Sequence, residues 1–337
     1  MSEQIFPVNS LSKYKKAGPT DLIELLPAPG CNSLFIQKWC LETFFYGIAY
    51  HELIHLSGPT GSAKTSLIEA LYLVPENFGA LCQALNVKEK PLMVYPIEMV
   101  TFDTPGELIQ RRALNQGTTF DERSALVNAL IEAQQTNGQY YPAVWLREIG
   151  RVHSASIQGG LLNLMTRSEA ILPGGLRIET GNLAWIADSN YQAENDSTHT
   201  LVTFDDALKR RFTVNLTLDY PSSEQEVIIL KHLVKEKQLP KVDDELIDKV
   251  VKLGQVIRNH RGTGNLLSIA PPTIYGYMAL IRMAHSLPHL SLQQVARATL
   301  LGNAGQDDQK FVTGVFNEVF GIQSDPEEDP AVAGNLF

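Results

Sequence analysis

GPTGSAKTS, Gly58 to Ser66, decides how this chain is read. It stands between HELIHLSG (51–58), a short strand running into a turn, and KTSLIEALYLV (64–74), a helix that begins as soon as the turn ends. The stretch matches G-x-x-x-x-G-K-[ST] except that Ala63 takes the place of the second glycine. Such a loop must let successive backbone N–H groups converge on phosphate, bring a lysine to the terminal phosphates, and offer a hydroxyl to Mg²⁺. Gly58 and Gly61 give the backbone freedom, Lys64 the charge and Thr65 the hydroxyl and metal ligand, within a binding set completed by Pro59, Thr60, Ser62, Ala63 and Ser66. Ala63 fits provided its φ is negative and its methyl clears the nucleotide.

Working outward, LMVYPIEM, AVWLREI and LAWIADS are short apolar runs that read as buried strands of a parallel sheet. Helical patterns separate them, DERSALVNALIEAQQT and ASIQGGLLNLMTRSEA among them, and SLFIQKWCLETFFYGIAY ahead of the loop reads as an amphipathic helix. Strands alternating with helices predict an α/β layered domain over residues 31–221. From 222 to 322 the strand signals stop and four segments at helical period predict an all-helical domain. Residues 1–30, with Pro7, Pro19, Pro27 and Pro29 and little periodicity, read as an extended lead-in, and the acidic 323–337 as a flexible tail.

The chain has 337 residues, 44% of them hydrophobic and 19% charged, the balance of a globular protein with a filled core. No apolar run approaches the roughly 20 residues that span a bilayer, and no signal peptide is read at the N-terminus, which points to the cytoplasm. Cys31, Cys40 and Cys82 have neither paired nor metal-ligand spacing. A net charge of −9 argues against nucleic acid as the partner, with Arg111-Arg112 the one basic hint. His51 and His55 lie on one face of a strand but about 13 Å apart, too far to share a metal.

YPAVWLREIGR, 141–151, has the form of the apolar strand that delivers an acidic pair to a nucleotide. Glu148 is present as a candidate water-orienting base. Where the first acid should stand there is Arg147, which cannot bind Mg²⁺ and repels it unless it turns away or pairs with an acid.

Taken in order, GPTGSAKTS, AVWLREIGRVHSASIQGGLLNLM, EAILPGGLRIETGNLAWIADSNY and FDDALKRRFTVNLTLDYPSSEQE resemble a MoxR-type AAA+ ATPase over residues 30 to 300. The resemblance implies a P-loop AAA+ domain, a five-stranded parallel sheet between helices, followed by a helical lid. It also implies ATP and Mg²⁺ as ligands and a β-hairpin at ILPGGLRIET. Asn190 then matches the sensor residue that places the attacking water, and Arg211, beside Arg210, the arginine finger acting on a neighbouring subunit's site. The partners implied are copies of the chain in a hexameric ring or helical assembly, and a protein client, one with a von Willebrand A domain among the candidates. The function implied is that of a chaperone or remodeller. The chain departs from the pattern at Arg147 and again in SIAPPTIYGY, where Pro271 and Pro272 open a helix without an arginine. Those departures favour slow hydrolysis, or an alternative in which the protein is a non-hydrolysing, ATP-binding scaffold subunit.

Overall fold

The structure, a computed structural model, describes residues 4–115, 118–136, 138–152, 154–166, 168–172, 175–190, 205–239, 242–262, 269–300 and 304–322. The chain divides into two compact units, Met1–Gln192 with Ser197–Tyr220, and Ala193–Asp196 with Pro221–Phe337. The expected acidic tail, 323–337, lies outside the described residues.

The first unit begins with β1 (Ile5–Pro7), α1 (Leu11–Lys16), β2 (Leu22–Leu25) and β3 (Leu34–Gln37), the strands forming a small sheet in the order β1-β2-β3. The N-terminal segment is thus folded rather than extended. Its prolines flank short elements, and Val8, Tyr14, Ile23 and Leu25 are buried in the core. The helix expected across 33–50 is likewise corrected. Leu34–Gln37 pairs with β2, and only α2 (Lys38–Ala49) is helical. The run Leu-Phe-Ile suits a strand as well as a helix, and pairing decides between them.

Then follow β4 (Leu53–Gly58), α3 (Lys64–Tyr72), α4 (Pro75–Ala84), β5 (Leu92–Glu98), β6 (Gln110–Asn115), β7 (Thr118–Arg123), α5 (Ala125–Gln135) and β8 (Tyr141–Arg147). The unit continues through α6 (Ala155–Leu164), β9 (Glu169–Ile171), β10 (Arg177–Glu179), β11 (Ala184–Asn190), α7 (Asp206–Lys209) and β12 (Val214–Thr217). Helix α5 starts later than the pattern suggested. Thr118–Arg123 pairs with β6 in an antiparallel hairpin, and Ser124 caps the helix by accepting from the Val127 N–H at 3.0 Å. Across that hairpin Arg111 meets Glu122 and Arg112 meets Asp121, both pairs at the surface. The expected hairpin near 171–180 is present as β9 and β10.

The large sheet has five parallel strands in the order β12-β4-β11-β8-β5. Side chains alternate across it. Ile54, Leu56, Ala143, Trp145, Ala184 and Ile186 join one core with α2, α3 and α4. Leu53, Val144, Leu146, Trp185 and Ala187 join the other with α5 and α6. Helices therefore cover both faces, as an all-parallel sheet requires.

The second unit is helical in its described residues: α8 (Ser223–Glu236), α9 (Asp244–Gly262), α10 (Ile274–Ser286), α11 (Leu292–Leu300) and α12 (Gln306–Phe320). Ser222 and Gln225 form a reciprocal cap at the start of α8. Helix α10 starts after Thr273, whose hydroxyl caps it, one residue beyond the proline pair. Gly254 lets α9 approach Tyr277 of α10, since a Cβ there would lie 1.9 Å from the Tyr277 hydroxyl. Glu226 is fully buried and takes two hydrogen bonds from Arg258, at 2.7 and 2.5 Å. Among the described residues no helix is long and apolar enough to cross a membrane.

Candidate functional site

The C-terminal edge of the five-stranded sheet collects the polar residues that the apolar strands deliver. In an open parallel sheet that edge is where ligands bind. Strand β4 ends at Gly58, in register with Asn190 at the end of β11, while β8 and β5 end side by side at Arg147 and Glu98.

The loop after β4 is built by close backbone approach. Gly58 has φ +153, and a Cβ on it would meet the Leu218 carbonyl oxygen at 2.1 Å and Ser62 Oγ at 2.7 Å. Leu218 N–H donates to the Ser57 carbonyl, and Tyr220 Oη donates to the Thr60 carbonyl at 2.6 Å, tying the loop to the segment after β12. Gly61 is also left-handed, at φ +79.

Ala63 corrects the expectation of a negative φ. It sits at φ 70, ψ 15, in the left-handed region. The loop needs that conformation where the pattern calls for glycine, and an alanine adopts it at a cost of about 1–2 kcal/mol.

Helix α3 begins at Lys64 with no side-chain cap and no acid in its first turn. Its leading N–H groups and the positive end of its dipole are therefore turned to the loop, which suits phosphate. Lys64 is only 6% exposed, and its Nζ donates to the carbonyls of Gly58 and Pro59 at 3.0 and 2.7 Å. Burial brings its ammonium down to about 8, against the pull of the Asp188 and Glu148 charges. Thr65 and Ser66 follow in the first turn, both half-buried. A loop with these carbonyl ties, an uncapped helix start and a buried lysine fits a triphosphate, with Thr65 as the hydroxyl for its cation.

Glu148 stands just past β8 in a left-handed turn, φ 52, ψ 47. Its carboxylate pairs with Arg151 at 3.2 Å, and its charge is felt by Lys64. Arg147 lies on the same sheet face as Trp145, the face that packs on α3. It pairs with Glu98 of β5, and its guanidinium sits 4.8 Å over the Trp145 ring. The conditional expectation for this cation, that it pair with an acid, describes its place.

Arg211 is not brought to the loop. It lies between α7 and β12, exposed, and Thr213 N–H donates to the Leu53 carbonyl at the start of β4. From there to Gly58 the strand runs about 16 Å. Arg210 and Arg211 have no ion pair among the described residues. His55 does not join His51; its Nε2 lies 2.8 Å from Ser189 Oγ, and burial brings it down to about 4.

The residue missed by sequence reasoning is Asp188. It is 5% exposed on β11, two residues before Asn190 and on the same face. Trp145 Nε1 donates to its Oδ1 at 2.6 Å, and the Glu148 backbone N–H also donates to the carboxylate. Burial pushes its carboxyl above the usual range, while those donors and the Lys64 charge pull it down. The available signal was an acid directly after the apolar run Ala184–Ala187, two residues before Asn190.

No family model matches the chain, and no curated protein matches its sequence. Among solved structures it is similar to a protein from Cytophaga hutchinsonii described as a "putative ATPase", at 15% identity and a TM-score of 0.37, over 86% of this chain and 90% of that one. At that depth the likeness fixes neither activity nor substrate.

Proposed function

We propose that the chain is a MoxR-like AAA+ subunit that binds ATP with Mg²⁺ between Gly58 and Ser66 and hydrolyses it within a ring, remodelling a protein client. The observation that carries this reading is the convergence of the Gly58–Ser66 loop, the uncapped start of α3, buried Lys64, Glu148 and Asn190 at one edge of the sheet. In it Lys64 holds the β- and γ-phosphates, α3 directs its N–H groups at them, and Thr65 offers its hydroxyl to the cation. Mg²⁺, when bound, neutralises charge on the phosphate oxygens. Glu148 orients the attacking water, and Asn190 helps to hold it in line.

Arg211 acts on a neighbour's site. Its position at the other end of the sheet supports this, because the residue lies a strand's length from its own loop. Mixing Arg211→Ala subunits, which have an intact Glu148, with Glu148→Gln subunits, which have an intact Arg211, tests the role. Each variant alone is expected to be inactive and the mixture to recover part of the turnover. A mixture as silent as its components rejects the role in trans.

A second reading, an ATP-binding scaffold without turnover, is favoured by one observation, the arginine at 147 on the site's face. Binding would then drive assembly and nothing more.

A further inference from the structure

On the sheet face that meets α3, strand β8 presents Trp145 and Arg147 and so brings no negative charge of its own. The neighbouring strand does. Asp188 reaches that face from β11, between the loop strand β4 and the strand of Arg147. The Arg147 guanidinium is drawn the other way, to Glu98 on β5 and over the Trp145 ring. The acid has in effect moved one strand toward the loop, and the cation that replaced it is pinned one strand away.

Asp188 has the properties of a cation-side acid. A carboxylate has about four lone-pair positions. Trp145 Nε1 and the Glu148 N–H use two and fix the group's orientation, leaving capacity to accept more. No cation among the described residues comes within salt-bridge distance of it. A buried carboxylate without an ion partner is costly to hold, and a cation bound nearby removes much of that cost. Lys64 and Asp188 each feel the other's charge, so the acid is within electrostatic reach of the loop's lysine.

We propose that Asp188 is a positioning residue for the cation of this site, accepting hydrogen bonds from water held by a divalent ion bound with the triphosphate. It thereby replaces the carboxylate missing at position 147. This rests on reading Gly58–Ser66 as an ATP site.

The test is titration of a fluorescent ATP analogue into the full-length protein, once in excess EDTA and once in Mg²⁺. Asp188→Asn keeps one acceptor oxygen for the Trp145 indole but removes the charge. It is expected to bind about as well as wild type in EDTA and to lose about 10- to 100-fold of the gain that Mg²⁺ confers. Arg147→Asp added to Asp188→Asn is expected to restore that gain. An unchanged gain in Asp188→Asn overturns the proposal, as does equal weakening with and without Mg²⁺, the mark of a packing role. Wild type that binds no nucleotide in either condition rejects the ATP site itself and this assignment with it. Should Asp188→Asn not fold, the wild type still decides. With Mn²⁺ and the analogue, the Trp145 indole N–H resonance, assigned through Trp145→Phe, is expected to broaden beyond detection. A sharp signal overturns the proposal.

Discussion

Among the described residues two carboxylates are buried, one in each unit, and they are treated differently. Glu226 in the helical unit faces Arg258 with both oxygens, and Arg258 is itself nearly buried and donates also to the Pro272 carbonyl. Asp188 in the α/β unit has only neutral donors, from an indole and a backbone N–H, with Lys64 at longer range. The first is a closed pair whose charges answer each other. The second is an acid held in place without an ion pair among the described residues, near the edge of the sheet where the loop opens. Burial raises the carboxyl in both cases, so burial does not separate them. The counter-charge does.

That contrast sets the sizes of the expected effects. Arg258→Ala leaves Glu226 buried without its partner and is expected to cost about 3–5 kcal/mol in urea unfolding. Asp188→Asn, under the same measurement, is expected to move stability by no more than about 1 kcal/mol, since the Trp145 indole keeps an acceptor. Equal costs would erase the distinction between the two acids.

Lys64→Ala removes a charge-assisted contact to phosphate worth about 1.5–3 kcal/mol. Calorimetric titration of ATP is expected to show at least a tenfold loss of affinity while the fold persists. Retained affinity would remove the loop from the account.

The buried ammonium also gives a pH signature. Phosphate favours charged Lys64, whose value in the protein is about 8. Below that pH affinity is expected to be flat in this residue, and above it to fall by up to about tenfold per unit as binding must take up a proton. In protein without nucleotide, the unfolded chain binds more protons than the folded one between about 8 and 10.5, so Lys64 makes stability rise with pH across that window. Lys64→Met is expected to abolish both slopes.

The smallest effect is at Ala63. Glycine there relieves left-handed strain but frees the unfolded chain, for a net gain of about 0.5–1 kcal/mol. A loss of stability on Ala63→Gly would mean that the methyl's packing against the core outweighs its backbone.

The loop was legible because glycines, lysine and threonine at fixed spacing state a local geometry, and β4 and α3 flank it as the pattern demands. Four of the five parallel strands were legible too, β5, β8 and β11 from their apolar runs and β4 from its place before the loop; β12 was not, because Val-Asn-Leu-Thr is short and half polar. Ala63's φ was not, because a residue's name does not give the conformation its neighbours impose. The hairpin of β6 and β7 escaped because Thr118–Arg123 is exposed throughout and carries no apolar alternation. Asp188 escaped for a different reason. Alone it is a polar residue in a strand, and its meaning comes from β11 lying between β4 and β8, which puts the Trp145 indole on it. Arg147 was legible as a departure, but its partner Glu98 became visible only through the pairing of β5 with β8.

The most direct measurement is ATP turnover at high protein concentration, with and without Mg²⁺, for wild type, Glu148→Gln and Arg147→Asp. Wild type is expected to show Mg²⁺-dependent turnover that Glu148→Gln abolishes. Tight ATP binding without turnover in wild type, and turnover gained by Arg147→Asp, would contradict it and leave a scaffold that the arginine keeps silent.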